Sequence, residues 1–107
     1  MSKLLIRGGR VYAEGRFASL DVLCEDGKIH EIGAQLEAAD AQVIDAAGLM
    51  VCPGFIDAHT HGAANVDVNA ADEAGLKTIA AFFATQGTTA FCASVLTDTQ
   101  ETTEKCL

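Results

Sequence analysis

The chain has 107 residues, half of them hydrophobic, enough for a small domain with its own core. Fifteen acidic residues against seven basic ones give a net charge of −8 spread along the chain, which argues against nucleic acid or an anionic membrane as a partner. No apolar run approaches the ~20 residues of a membrane-spanning helix, and Leu4-Leu5-Ile6 falls short of the roughly 7–15 apolar residues of a signal peptide. The four cysteines, Cys24, Cys52, Cys92 and Cys106, form no CxxC pair. They are expected to be reduced, mostly buried thiols of a cytoplasmic protein.

The first half reads as short strands joined by tight turns. Lys3 to Tyr12 is expected to be a strand entering a turn at Gly8-Gly9, and a second strand follows from Phe17 to Glu25. Asp26-Gly27, between Val22-Leu23-Cys24 and Ile29-His30-Glu31-Ile32, is a hairpin signal because both residues tolerate positive φ. Gly33 to Gln42 reads as a loop with a marginal helical turn. Val43-Ile44-Asp45 and Leu49-Met50-Val51-Cys52 are further strands around Ala46-Ala47-Gly48. Residues 1–52 are therefore predicted to be a small β-domain, part of a sandwich or barrel.

At Pro53-Gly54 the pattern changes to alternating strand and helix. Phe55 to His61 is a predicted strand. Ala71 to Gln86 is a predicted helix with Leu76, Ile79, Ala80 and Phe83 at helical spacing, Asn69 or Asp72 able to cap its start and Gly87 to end it. Thr88 to Leu96 is the nearly continuous apolar and β-branched run of a buried parallel strand, and Thr97-Asp98-Thr99 opens another helix. The expected fold class is α/β, with residues 53–107 supplying the first βαβ part of an eight-fold βα barrel. No stop signal closes the last helix before Leu107, so the sequence is expected to be the front of a longer protein. Apolar edges of such a partial barrel predict self-association into a homo-oligomer.

The residues with metal chemistry are His59 and His61. Two positions apart on a strand, they would share one face with Cα atoms roughly 6.5–7 Å apart, at the strand end where barrel enzymes gather their sites. An HxH pair alone is a weak pattern. The whole run, Pro53-Gly54-Phe55-Ile56-Asp57-Ala58-His59-Thr60-His61-Gly62, resembles the amidohydrolase superfamily, whose members carry PGxIDxHxH at the end of the first barrel strand. Within it, Gly62-Ala63-Ala64-Asn65-Val66-Asp67-Val68 and Gln86-Gly87-Thr88-Thr89-Ala90-Phe91 resemble the N-acetylglucosamine-6-phosphate deacetylase family.

The resemblance implies that His59 and His61 are ligands of a divalent metal, zinc first, with iron, cobalt or nickel as alternatives. It implies an amino-sugar phosphate as small-molecule substrate, whose acetamide is hydrolysed to glucosamine 6-phosphate and acetate. The family takes a ligand glutamate, two more histidines and a catalytic aspartate from later strands, which this sequence does not contain. The 107 residues by themselves are therefore expected to be inactive. Some members of the deacetylase family replace the histidine pair and bind a single metal elsewhere in the site. The alternatives are a dihydroorotase-like or hydantoinase-like cyclic amide hydrolase, a deaminase, or a non-catalytic module that oligomerises.

Lesser candidates have plainer readings beside them. Asp57 shares parity with the histidines and could accept from an imidazole N–H or simply fix the start of the strand. His30 reads as a surface histidine. Asp67 and Asn69 read as capping and turn residues of the first βα loop. Cys92 is expected in the core, and Thr88-Thr89 serve strand propensity.

Overall fold

The computed structural model describes residues 2–107, and Met1, the first residue of the expected β-domain, lies outside them. Two compact units make up the chain, Met1–Pro53 and Gly54–Leu107.

The first unit is a single mixed sheet, so the described residues provide one layer where a partial sandwich was expected. Its strands are β1 (Lys3–Ala13), β2 (Arg16–Glu25), β3 (Lys28–Gly33), β4 (Gln42–Asp45) and β5 (Met50–Val51). β1 lies at the centre, antiparallel to β2, which pairs in turn with β3; β4 and then β5 run parallel along its other edge. Asp26 (φ 49°) and Gly27 (φ 78°) close the β2–β3 hairpin with two left-handed residues, the turn whose twist matches that of the strands. Glu14 and Gly15 (φ 50° and 80°) close the β1–β2 hairpin in the same way, and Tyr12 faces Phe17 across it with ring centroids 5.2 Å apart.

Two expectations are corrected here. Gly8-Gly9 is not a turn. β1 continues through it, and the pairing steps from Ile6↔Val22 to Gly9↔Leu20, so that two residues face one in a β-bulge. Asp21 stands opposite the bulge and supplies the reason: its Oδ1 accepts the Gly8 N–H (2.8 Å) and its Oδ2 the Leu36 N–H (3.0 Å). The carboxylate is buried, and these two bonds satisfy it. Residues 34–41 contain no helical turn, because Leu36 is held by Asp21 and its carbonyl accepts from the Arg7 guanidinium (3.1 Å). The core of this unit is Leu5, Val11, Val22, Leu23 and Ala46.

The second unit pairs β6 (Phe55–Thr60) in parallel with β9 (Thr88–Ala93). Between them come a miniature hairpin, β7 (Gly62–Ala63) with β8 (Val66–Asp67), a 3-10 turn at Val68–Ala70, and the helix α1 (Glu73–Thr85); α2 (Gln100–Cys106) follows β9. α1 starts two residues later than predicted because Asp72 caps it, its Oδ1 accepting the Gly75 N–H at 2.8 Å. Gly87, at φ 78°, ends it as expected. The buried stripe differs from prediction: Ile79 is fully buried, with Gly75 and Phe83 partly so, while Leu76 and Ala80 are exposed. Phe83 packs on Phe91 of β9 with centroids 5.2 Å apart.

The thiols also depart from expectation. Cys52 and Cys92 are exposed, and Cys24 and Cys106 are half-buried. For Cys92 the cause is the width of the sheet, since a parallel strand with one neighbour lacks the covering layers that bury such strands. Phe55 and Ile56 on β6 are 65% and 72% exposed for the same reason. No helix among the described residues is long and apolar enough to cross a membrane.

Candidate metal centre

The parallel pairing of β6 with β9 carries the two strand ends to the same side, and the histidines sit there. β6 ends at Thr60, so His61 lies one residue past the strand rather than on it. The two imidazoles nevertheless meet: His59 Nε2 and His61 Nε2 are 3.0 Å apart, with the rings nearly perpendicular (86°). Two nitrogens each about 2.0–2.1 Å from one tetrahedral zinc would stand about 3.3 Å apart, so the pair is within a few tenths of an ångström of a two-ligand arrangement.

The inner nitrogens of both rings are engaged by one residue. His61 Nδ1 lies 2.9 Å from the Ser94 carbonyl, which can only accept, so in the neutral ring Nδ1 carries the proton and Nε2 presents a lone pair. His59 Nδ1 lies 3.2 Å from Ser94 Oγ. The Ser94 N–H itself donates to the Thr60 carbonyl at 2.7 Å, which extends the β6–β9 ladder one step beyond its last residue pair. Thr60, between the histidines, is buried.

Gly62 makes the sharp departure after His61 possible. Its φ is 145°, and a Cβ there would collide with the Val66 carbonyl oxygen, so only glycine lets the β7–β8 hairpin close beside the imidazole. The Val68 N–H then donates to the His61 carbonyl at 2.8 Å.

Asp57 does not reach a ring. Its Oδ1 accepts the backbone N–H of His59 (3.0 Å), which fixes the strand. Asp67 caps the 3-10 turn through the Asn69 N–H (2.7 Å). Asn69 does more than cap: its side chain grips the Leu96 backbone on both sides, accepting the N–H at 2.8 Å and donating to the carbonyl at 3.2 Å. It thereby ties the loop after β6 to the loop after β9. His30 is exposed beside Glu25, 3.6 Å away. Among the described residues, no group of three or more His, Cys, Asp or Glu side chains is placed to hold a metal ion.

Sequence reading missed Ser94 and Asp21. A small hydroxyl residue closing an apolar strand at the histidine end, and a carboxylate between Leu20 and Val22, were the available signals.

Comparison with known proteins follows the same residues. Over 87 residues the chain is 37% identical to the N-acetylglucosamine-6-phosphate deacetylase of Lysinibacillus sphaericus, covering 81% of this chain and 22% of that protein. Over 61 residues it is 49% identical to the dihydroorotase of Syntrophotalea carbinolica, covering 55% of this chain and 14% of that protein. Among solved structures, a D-hydantoinase superposes with a TM-score of 0.69 at 36% identity, over 97% of this chain and 22% of its own. The N-acetyl-D-glucosamine-6-phosphate deacetylase of Mycobacterium smegmatis superposes with a TM-score of 0.78 at 20% identity, over 99% and 28%, a likeness of fold. The chain thus spans about a fifth of the curated deacetylase's length and less of the dihydroorotase's. The model of the amidohydrolase family matches residues 42–95, half of the chain and the whole of the histidine motif, and on that match the chain belongs to the amidohydrolase family.

Proposed function

We propose that this chain forms the front of a metal-dependent hydrolase of carbon–nitrogen bonds, an N-acetylglucosamine-6-phosphate deacetylase, with His59 and His61 as ligands of a divalent cation, zinc first. The convergence of the two Nε2 atoms at 3.0 Å, at the end of a parallel strand, carries the metal assignment. When bound, such a cation supplies Lewis acidity for an amide carbonyl and activates water. The residues of this chain present two lone pairs and fix both ring orientations; a catalytic zinc site takes three protein ligands, so others must come from the rest of the barrel.

The deacetylase reading is supported by the reach of the match. It runs over 81% of the chain, whereas the dihydroorotase match covers 55% at higher identity. That higher identity favours the second reading, a cyclic amide hydrolase of the dihydroorotase or hydantoinase type. Supplied with N-acetylglucosamine 6-phosphate, the whole enzyme should release acetate; turnover of dihydroorotate or a hydantoin instead would replace the first reading with the second. We place the protein in the cytoplasm, and the exposed apolar residues Phe55 and Ile56 support its self-association.

Calorimetric titration of the 107-residue chain with zinc tests the metal assignment directly. Weak binding of one ion, abolished in both His59→Ala and His61→Ala, is the expected result. Zinc binding unchanged by either substitution would remove it.

A further inference from the structure

Ser94 touches both imidazoles through different atoms, and the two atoms have different hydrogen-bonding capacity. Its backbone carbonyl can only accept, so it holds His61 with the proton on Nδ1. Its hydroxyl can donate or accept. It lies 3.2 Å from His59 Nδ1 and 3.4 Å from the Cys92 carbonyl, to which it can donate.

Donation from His59 Nδ1 to Ser94 Oγ, with the hydroxyl donating in turn to the Cys92 carbonyl, leaves lone pairs on both Nε2 atoms, 3.0 Å apart.

We infer that Ser94 is a positioning residue that holds His61 by its carbonyl and His59 by its hydroxyl, each at Nδ1, so that both Nε2 atoms face one divalent cation. Asn69 supports this role, because its two bonds to the Leu96 backbone hold the segment that begins at Ser94. The inference rests on the reading of His59 and His61 as metal ligands.

The test combines long-range proton–nitrogen correlation spectra of the histidine rings with zinc titration, on the whole 107-residue chain at about pH 8, above the ordinary imidazole range. With zinc bound, both rings should carry their proton on Nδ1. Ser94→Ala keeps the carbonyl and loses the hydroxyl, so the His59 Nδ1 proton should lose its hydrogen-bonded shift while that of His61 keeps it, and zinc affinity should fall about tenfold or more. Ser94→Thr should restore the His59 shift and an affinity within about threefold of the original.

A wild-type His59 with its proton on Nε2 at saturating zinc overturns the inference, whether or not Ser94→Ala folds. So does a folded Ser94→Ala chain with an unchanged His59 shift and unchanged zinc affinity. If His59→Ala and His61→Ala abolish binding while Ser94→Ala does not weaken it, the role of Ser94 alone falls. If zinc binding survives the histidine substitutions, the metal reading falls with it.

Discussion

In the unit Met1–Pro53, Leu5, Val11, Val22, Leu23 and Ala46 are all buried; in Gly54–Leu107, Val68 and Ile79 are the apolar residues that reach that state among those described. The difference follows from how each kind of sheet finds its neighbours. Antiparallel hairpins close within two-residue turns, so β1, β2 and β3 surround one another from sequence-adjacent segments. A parallel pair needs a crossover for each added strand and cover on both faces. β6 and β9 have one crossover helix and one partner each, and Ile56 is left 72% exposed. The unit that packs itself carries structure, and the unit that stays open carries the pair His59 and His61.

The largest expected effect measures this contrast directly. Leu5 is 1% exposed, and Leu5→Ala should cost about 2–5 kcal/mol in urea denaturation. Ile56→Ala should stay within about 0.5 kcal/mol. Equal losses at the two positions would mean that Ile56 is covered in solution.

A smaller effect tests whether the first unit also depends on a polar anchor. Asp21→Ala would strip the acceptor from the Gly8 and Leu36 amides and should cost about 1.5–3 kcal/mol, with faster amide exchange at those two residues. Retained protection at Gly8 would show that the bulge is held by the strand pairing alone. The smallest effect lies on the solvent face of α1, where Glu73 and Lys77 pair one turn apart with both side chains largely exposed. Glu73→Ala should change stability by about 0.2–0.5 kcal/mol, and added salt should erase most of the difference.

Much of the local structure was legible because it depends on near neighbours in sequence. Asp26-Gly27 marks a two-residue hairpin by its φ preferences alone, and Gly87 marks a helix end. Asp72 was one of two candidate caps, and the local backbone selected it over Asn69. Gly8-Gly9 was misread because a pair of glycines signals a departure from regular strand without saying which one. The carboxylate of Asp21, thirteen residues away from Gly8, made it a bulge. The burial of Cys92 was misjudged for a related reason: an apolar β-branched run announces a parallel strand, but not how many layers cover it.

The sequence by itself determined the chemistry of this chain. Two imidazoles two residues apart, after Pro53-Gly54 and before Gly62, are fixed by residue order, and the period of a strand brings them near one another. The tertiary structure decided how they are held. β9 is separated from β6 by a crossover, and only the parallel pairing of the two strands puts Ser94 beside His59 and His61. Strand period is a local property of the backbone and can be read along the chain. A contact spanning more than thirty residues depends on which strand pairs with which and in what register, and no short-range pattern records that.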